Sequence, residues 1–214
     1  MVSGCSDALS YLGLGQVFPA NMTGNTVLLG IGLATGDMGA ASRSATALGA
    51  FLLGAAAVGA AVPARVGRPV LVAALAGEAA LLAALCGWWL STGLAHPVGA
   101  TRYGLVALAG ATMGAQSGLV RALGVRVATT YITGTWTALS SGVAARLRRG
   151  PSAEPSAGRS HTLNALVVAT YLATACGAAL AYTRLGAVAA ALPLGIVLLV
   201  QVAVRMGSGR AARG

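Results

Sequence analysis

The chain of 214 residues contains no lysine and only four acidic side chains, Asp7, Asp37, Glu78 and Glu154. Charged residues make up 8% of it, against about 25% in an ordinary soluble domain. That is too little charge to coat a globule in water. Histidine is nearly missing too: His96 and His161 stand near the ends of apolar runs and no pair falls inside one. A haem or a histidine-bound metal is therefore not expected. Cys5, Cys86 and Cys176 are far apart, each in apolar sequence. Such spacing suits small buried hydrophobes better than a disulfide or a metal site. No Ser-His arrangement or metal cluster is legible, so neither a cofactor nor an enzyme is expected.

What the chain has in abundance is grease. It is 57% hydrophobic, with 31 glycines and a mean hydropathy of +0.79. Runs near 20 apolar residues are long enough to cross a bilayer as helices. They are continuous rather than alternating, which excludes a closed barrel. The expected fold is all-α, a polytopic transmembrane helix bundle of about six to eight membrane segments. The segments are expected near 2–14, 18–35, 43–62, 70–90, 98–120, 127–145, 162–182 and 187–204. Arg146 to Ser160 reads as the long hydrophilic loop and 206–214 as a disordered polar tail. Trp88 and Trp89 read as interfacial anchors.

The net charge of +10 comes from fourteen arginines, and these sit at the borders of the apolar runs. That placement points to lipid headgroups rather than nucleic acid. With eight alternating crossings, one side receives Arg43, Arg102, the Arg146–Arg159 cluster, Arg205, Arg210 and Arg213. The other receives Arg65, Arg68, Arg121, Arg126 and Arg184. The bias places both termini and the long loop in the cytoplasm. No basic n-region precedes the first apolar segment, so no separate signal peptide is expected. That segment is short beside its counterpart from Val98, and a further N-terminal piece is expected upstream.

The chain also looks duplicated. A shift of 110 positions lays Gly4 on Gly114, Leu9 on Leu119, Val17 on Val127, Thr23-Gly24 on Thr133-Gly134 and Gly32 on Gly142. The halves are approximately 1–92 and 98–205. Three crossings per half would make them inverted and four would make them parallel. Each half carries one polar, helix-breaking string in apolar sequence: Asn21, Thr23, Gly24 and Asn25 after Pro19, and Thr130, Thr133, Gly134 and Thr135. Such interruptions at corresponding positions mark solute sites in transporters. They free backbone donors at a helix N-terminus and add hydroxyl and amide side chains. They also suit close helix packing.

Ahead of each string lies a second polar spot, Ser6-Asp7 in one half and Gln116-Ser117 in the other. A carboxylate at membrane depth costs several kcal/mol, on the order of 3, and is functional by default. Asp7, and Glu78 in the middle of the fourth segment, are thus the proton-coupling candidates. A structural hydrogen-bonding role is the alternative for both.

The string from Gly4-Cys-Ser-Asp7 through Val17-Phe18-Pro-Ala-Asn21-Met-Thr23-Gly24-Asn25 is similar to the opening signature of the YoaK-like family of bacterial integral membrane proteins. Met113-Gly-Ala-Gln116 and Thr129-Thr-Tyr-Ile-Thr133-Gly134-Thr135 carry the resemblance into the second half. It implies a multi-pass inner-membrane protein whose function is unknown. The expected function is a small-solute transporter or channel of the bacterial cytoplasmic membrane, its site formed by the two Thr-Gly elements. The alternative is a non-transporting membrane assembly or partner protein that uses those elements for helix packing. The expected partners are the lipid bilayer, an unknown small polar or anionic solute and, in a homo-oligomer, a second copy of the chain.

Overall fold

The computed structural model describes residues 1–62, 67–123, 132–149 and 155–211. Among these, all regular structure is helical: α1 (Val2–Gly13), α2 (Met22–Thr35), α3 (Met38–Ala61), α4 (Arg68–Ser91), α5 (Gly99–Ala122), α6 (Ile132–Arg149), α7 (Pro155–Leu185) and α8 (Leu192–Ala211). A 3-10 turn, Gly186–Ala191, joins the last two. Local chemistry sets the ends. Asn21 caps α2 by accepting from Gly24 N at 3.2 Å, and Gly36, at φ +76°, closes it. Asp37 then caps α3 through Ala40 N at 2.9 Å.

Three helical stretches are long and apolar enough to cross a membrane: Met38–Ala61, Pro69–Ser91 and Thr162–Val204. The third, at 43 residues, would extend roughly 65 Å if straight, about twice a bilayer core. It bends at Gly186, where φ is +57°. Large apolar side chains stand outward on these helices, Leu53 at 73% and Leu199 at 72% exposure among them. Their natural solvent is lipid.

Helix directions follow from paired contacts. Along α1, Gly4 lies against Tyr171 and Gly13 against Tyr182, so α1 and α7 run parallel. Gly110, Gly114 and Gly118 lie against Ala47, Phe51 and Ala55, so α5 and α3 run parallel as well. Ser3 meets Gln116 while Gly15 meets Arg102, so α1 and α5 run antiparallel. Leu75 meets Gln201 and Ala95 meets Gly186, so α4 opposes α8.

One end of the bundle therefore collects Gly13–Gly15, the start of α3, the end of α4, the start of α5 and the end of α7. Between α1 and α2 the chain turns inward from this end. Ala20 reaches the level of Asp7, about 9 Å deep, and α2 leads back out to Gly36. α2, 14 residues long, thus returns to the end from which the chain turned inward.

Three expectations are corrected. Trp89 is not an interfacial anchor; it is buried at 2% exposure and packs on Gly13 and Tyr182, while Trp88 alone stands out. Most of the expected loop Arg146–Ser160 is helical backbone, because α6 runs to Arg149 and α7 starts at Pro155. The tail is likewise helical to Ala211. In both places the backbone continues a helix whose apolar part is already nucleated by packing.

Candidate functional site

α1 is buried on nearly every side, including its polar residues Ser3, Ser6, Asp7 and Ser10. Asp7, at 3% exposure, joins three pieces of chain. Its Oδ1 accepts from Ala20 N at 2.8 Å and its Oδ2 from the Tyr171 hydroxyl at 2.7 Å. It holds the inward turn of residues 14–21 against α1 and ties both to α7. A cleft of about 430 Å³ between α1 and α7, lined by Tyr11, Phe18 and Cys176 among others, opens onto this latch.

Asn25, fully buried, completes the turn. Its Oδ1 accepts from Phe18 N at 3.0 Å and its Nδ2 donates to Phe18 O at 2.6 Å. Pro19 cannot donate, so the side-chain amide supplies the hydrogen bonding that the broken helix lacks. Asn25→Ala is expected to cost about 2–4 kcal/mol, since two buried backbone groups lose partners. A thermal melt in detergent checks this; an unchanged midpoint would remove the clamp.

A second polar group crosses three helices. Gln116 on α5 donates through Nε2 to Glu78 Oε1 on α4 at 2.5 Å, and its Oε1 accepts from Ser3 Oγ on α1 at 3.3 Å. Glu78 is 8% exposed, midway along α4. The hydroxyls of Ser6 and Ser117 are buried without a hydrogen-bond partner among the described residues. Buried hydroxyls of that kind are uncommon and call for an explanation.

The structure thus joins Asp7 to the turn that carries Asn21, and Gln116 to Glu78. It does not join the two Thr-Gly elements. α2 packs on α3 and α6 on α7, and the described residues form no packed interface between α2 and α6. Thr23 is exposed and Gly24 half-buried; in the second element Thr133 and Gly134 are exposed and Thr135 is buried. Thr129 and Thr130 lie outside the described residues. Sequence reasoning did not single out Tyr171 or Ser3. A tyrosine in the middle of the apolar run of α7 was the available signal, since a buried phenol needs a partner.

A membrane-embedded helix bundle with a buried polar centre defines the class. Within it, the chain belongs to the family described as "Protein of unknown function (DUF1275)", which it matches over residues 1–203. It is similar to the UPF0700 transmembrane protein YoaK of Bacillus subtilis (strain 168), at 30% identity over 156 residues. That match covers 69% of this chain and 65% of the relative, so the chain spans just under two thirds of the relative's length. No solved structure matches it.

Proposed function

We propose that the chain is an inverted-repeat transporter of a small polar or anionic solute, with Glu78 as its proton-coupling group. One observation carries this reading: the helices of the two halves have matching neighbours but opposite directions. α1 packs on α7 as α5 packs on α3; α2 packs on α3 as α6 packs on α7; α1 meets α8 as α5 meets α4. The match extends to single residues. Gly4 lies against the Tyr171 carbonyl and Gly114 against that of Phe51. Gly4 and Gly114 are 110 positions apart, Phe51 and Tyr171 are 120, the added length being spread over the end of α6, its connection to α7 and the start of α7. Because α1 and α5 run antiparallel, the implied two-fold axis lies in the membrane plane, as in many transporters.

On this reading α5, α7 and α8 are the crossings of the second half, and α1, α3 and α4 stand at the matching places in the first, with the 12 described residues of α1 covering about 18 Å. α2 and α6 are re-entrant fastenings. The arginines then divide more sharply than eight crossings would allow. Arg43, Arg102 and Arg184 mark one end. Arg68, Arg121, Arg146, Arg148, Arg149, Arg159, Arg205 and Arg210 mark the other, which is assigned to the cytoplasm. The solute path runs between α1 and α5, beside Ser3, Ser6, Gln116 and Ser117. Glu78 suits coupling because, among the described residues, only one of its oxygens accepts a hydrogen bond, from a neutral amide that tolerates either protonation state, while the Met1 amino group stands near enough to act on its charge.

The test uses purified protein in liposomes loaded with a pH-sensitive dye and challenged with a panel of small carboxylates and inorganic phosphate. Glu78→Gln should lower solute-driven pH change at least about tenfold while the variant remains monodisperse. Full flux in Glu78→Gln would remove Glu78 from coupling. A second reading, a packing or assembly partner, draws support from Asn21, Asn25 and Asp7, whose side chains are spent on backbone and tyrosine. It predicts no pH change with any solute.

A further inference from the structure

We propose that Arg43 and Arg102 form an anion-binding site for a phosphoryl or carboxylate group, at the end of the bundle where the chain turns inward between α1 and α2. Each guanidinium is oriented by a backbone carbonyl. Arg43 Nε donates to Gly15 O at 2.9 Å, and Arg102 Nε donates to Pro97 O at 2.6 Å. The terminal nitrogens of both have no hydrogen-bond partner among the described residues. Both groups press on the same spot: a Cβ on Gly15 would come within 2.8 Å of Arg43 Nε and 3.3 Å of Arg102 Nη1. Gly15, at φ +91°, and Gln16, at φ 64°, form the left-handed bend that lets them approach.

Two like charges held this close repel unless an anion lies between them. No acidic side chain makes an ion pair with either guanidinium among the described residues. Asp37 is the near carboxylate: its Oδ1 caps α3 through Ala40 N and, like Arg43 Nη1, lies within 3.3 Å of where a Cβ on Gly39 would stand, so it offsets part of the Arg43 charge without bridging the two arginines. Asp7 and Glu78 are engaged deeper in the bundle. The pair also stands at the arginine-poor end, so the general bias of basic residues toward the cytoplasm does not account for it. Two oriented guanidinium edges offer the geometry that a phosphoryl or carboxylate group accepts in bidentate fashion. The chemistry is shared by a soluble anion and an anionic lipid headgroup. The site stands whether or not the chain transports.

The protein is placed in nanodiscs of phosphatidylcholine alone and titrated with inorganic phosphate at constant ionic strength, reading the unfolding temperature. A parallel set contains phosphatidylglycerol. A saturable rise with phosphate in the first set, weakened about tenfold or more in apparent affinity by either Arg43→Gln or Arg102→Gln, supports a soluble anion. A rise on adding phosphatidylglycerol, lost in the same variants, supports a headgroup at the same site. Arg102→Lys keeps the charge but loses the fork and should bind weakly, which separates a shaped site from general attraction. The proposal is overturned if phosphate and phosphatidylglycerol both do no more than matched chloride and phosphatidylcholine. It is overturned equally if both glutamine variants respond like the parent.

Discussion

Replacing Gly114 with valine is expected to abolish recovery of the folded protein, and Gly4→Val is expected to do the same. At each position a side chain would be driven into the carbonyl of a neighbouring helix, Phe51 for Gly114 and Tyr171 for Gly4. Backbone cannot swing aside as a flexible side chain can. The helices would have to separate, and the cost should exceed the roughly 1–3 kcal/mol of ordinary overpacking. Glycines at such crossings let membrane helices reach contact distance, where dispersion and interhelical contacts replace the missing hydrophobic drive. The measurement is the yield of monodisperse protein by size exclusion in mild detergent. Gly59→Val is the control, because nothing lies within 4 Å of its Cβ direction. Matched losses in the first two and none in the third would support equivalent packing in both halves. A well-behaved Gly114→Val would remove the close α3–α5 crossing.

The second large effect is expected at Asp7. Asp7→Leu removes acceptors from Ala20 N and the Tyr171 hydroxyl, both inside the bundle. Leaving two donors unmade should cost about 3 kcal/mol or more. The turn of residues 14–21 would lose its anchor to α1, and α1 one of its ties to α7. Asp7→Asn should be far milder: its carbonyl oxygen still accepts from Ala20 N, and its amide can donate to the tyrosine oxygen. Tyr171→Phe removes one bond and should fall between, near 1 kcal/mol. Thermal unfolding of the purified variants orders them. If Asp7→Leu melts with the parent, the latch contributes nothing. If Asp7→Asn also keeps full solute flux, Asp7 is a fastening and not a proton carrier, which leaves Glu78 as the coupling carboxylate.

The helix-breaking residues were legible because their chemistry is local. Asn21, Gly36 and Asp37 act within three residues of where they stand, so the sequence announces the breaks at both ends of α2. The partners of the buried polar groups were not legible. Asp7 and Tyr171 are 164 positions apart, and Glu78 and Gln116 are 38 apart. Nothing in a string of residues says which of several apolar helices will bring a phenol to a carboxylate. The same limit explains Trp89. A tryptophan near the end of an apolar run reads as an anchor until Gly13 and Tyr182 are seen to enclose it.

Composition alone decided that this chain lives in lipid and folds as helices, because so few charges cannot solvate it and a bilayer accepts no unpaired backbone. Sequence likewise raised the expectation of a duplication, since matching glycines and Thr-Gly pairs survive a simple shift. Only tertiary structure decided direction and depth. That α1 opposes α5, that α2 turns back to the end it came from, and that Asn25 serves Phe18 all depend on which helices touch. Those contacts are set by shape and hydrogen bonding between distant segments, and no local rule of the chain contains them.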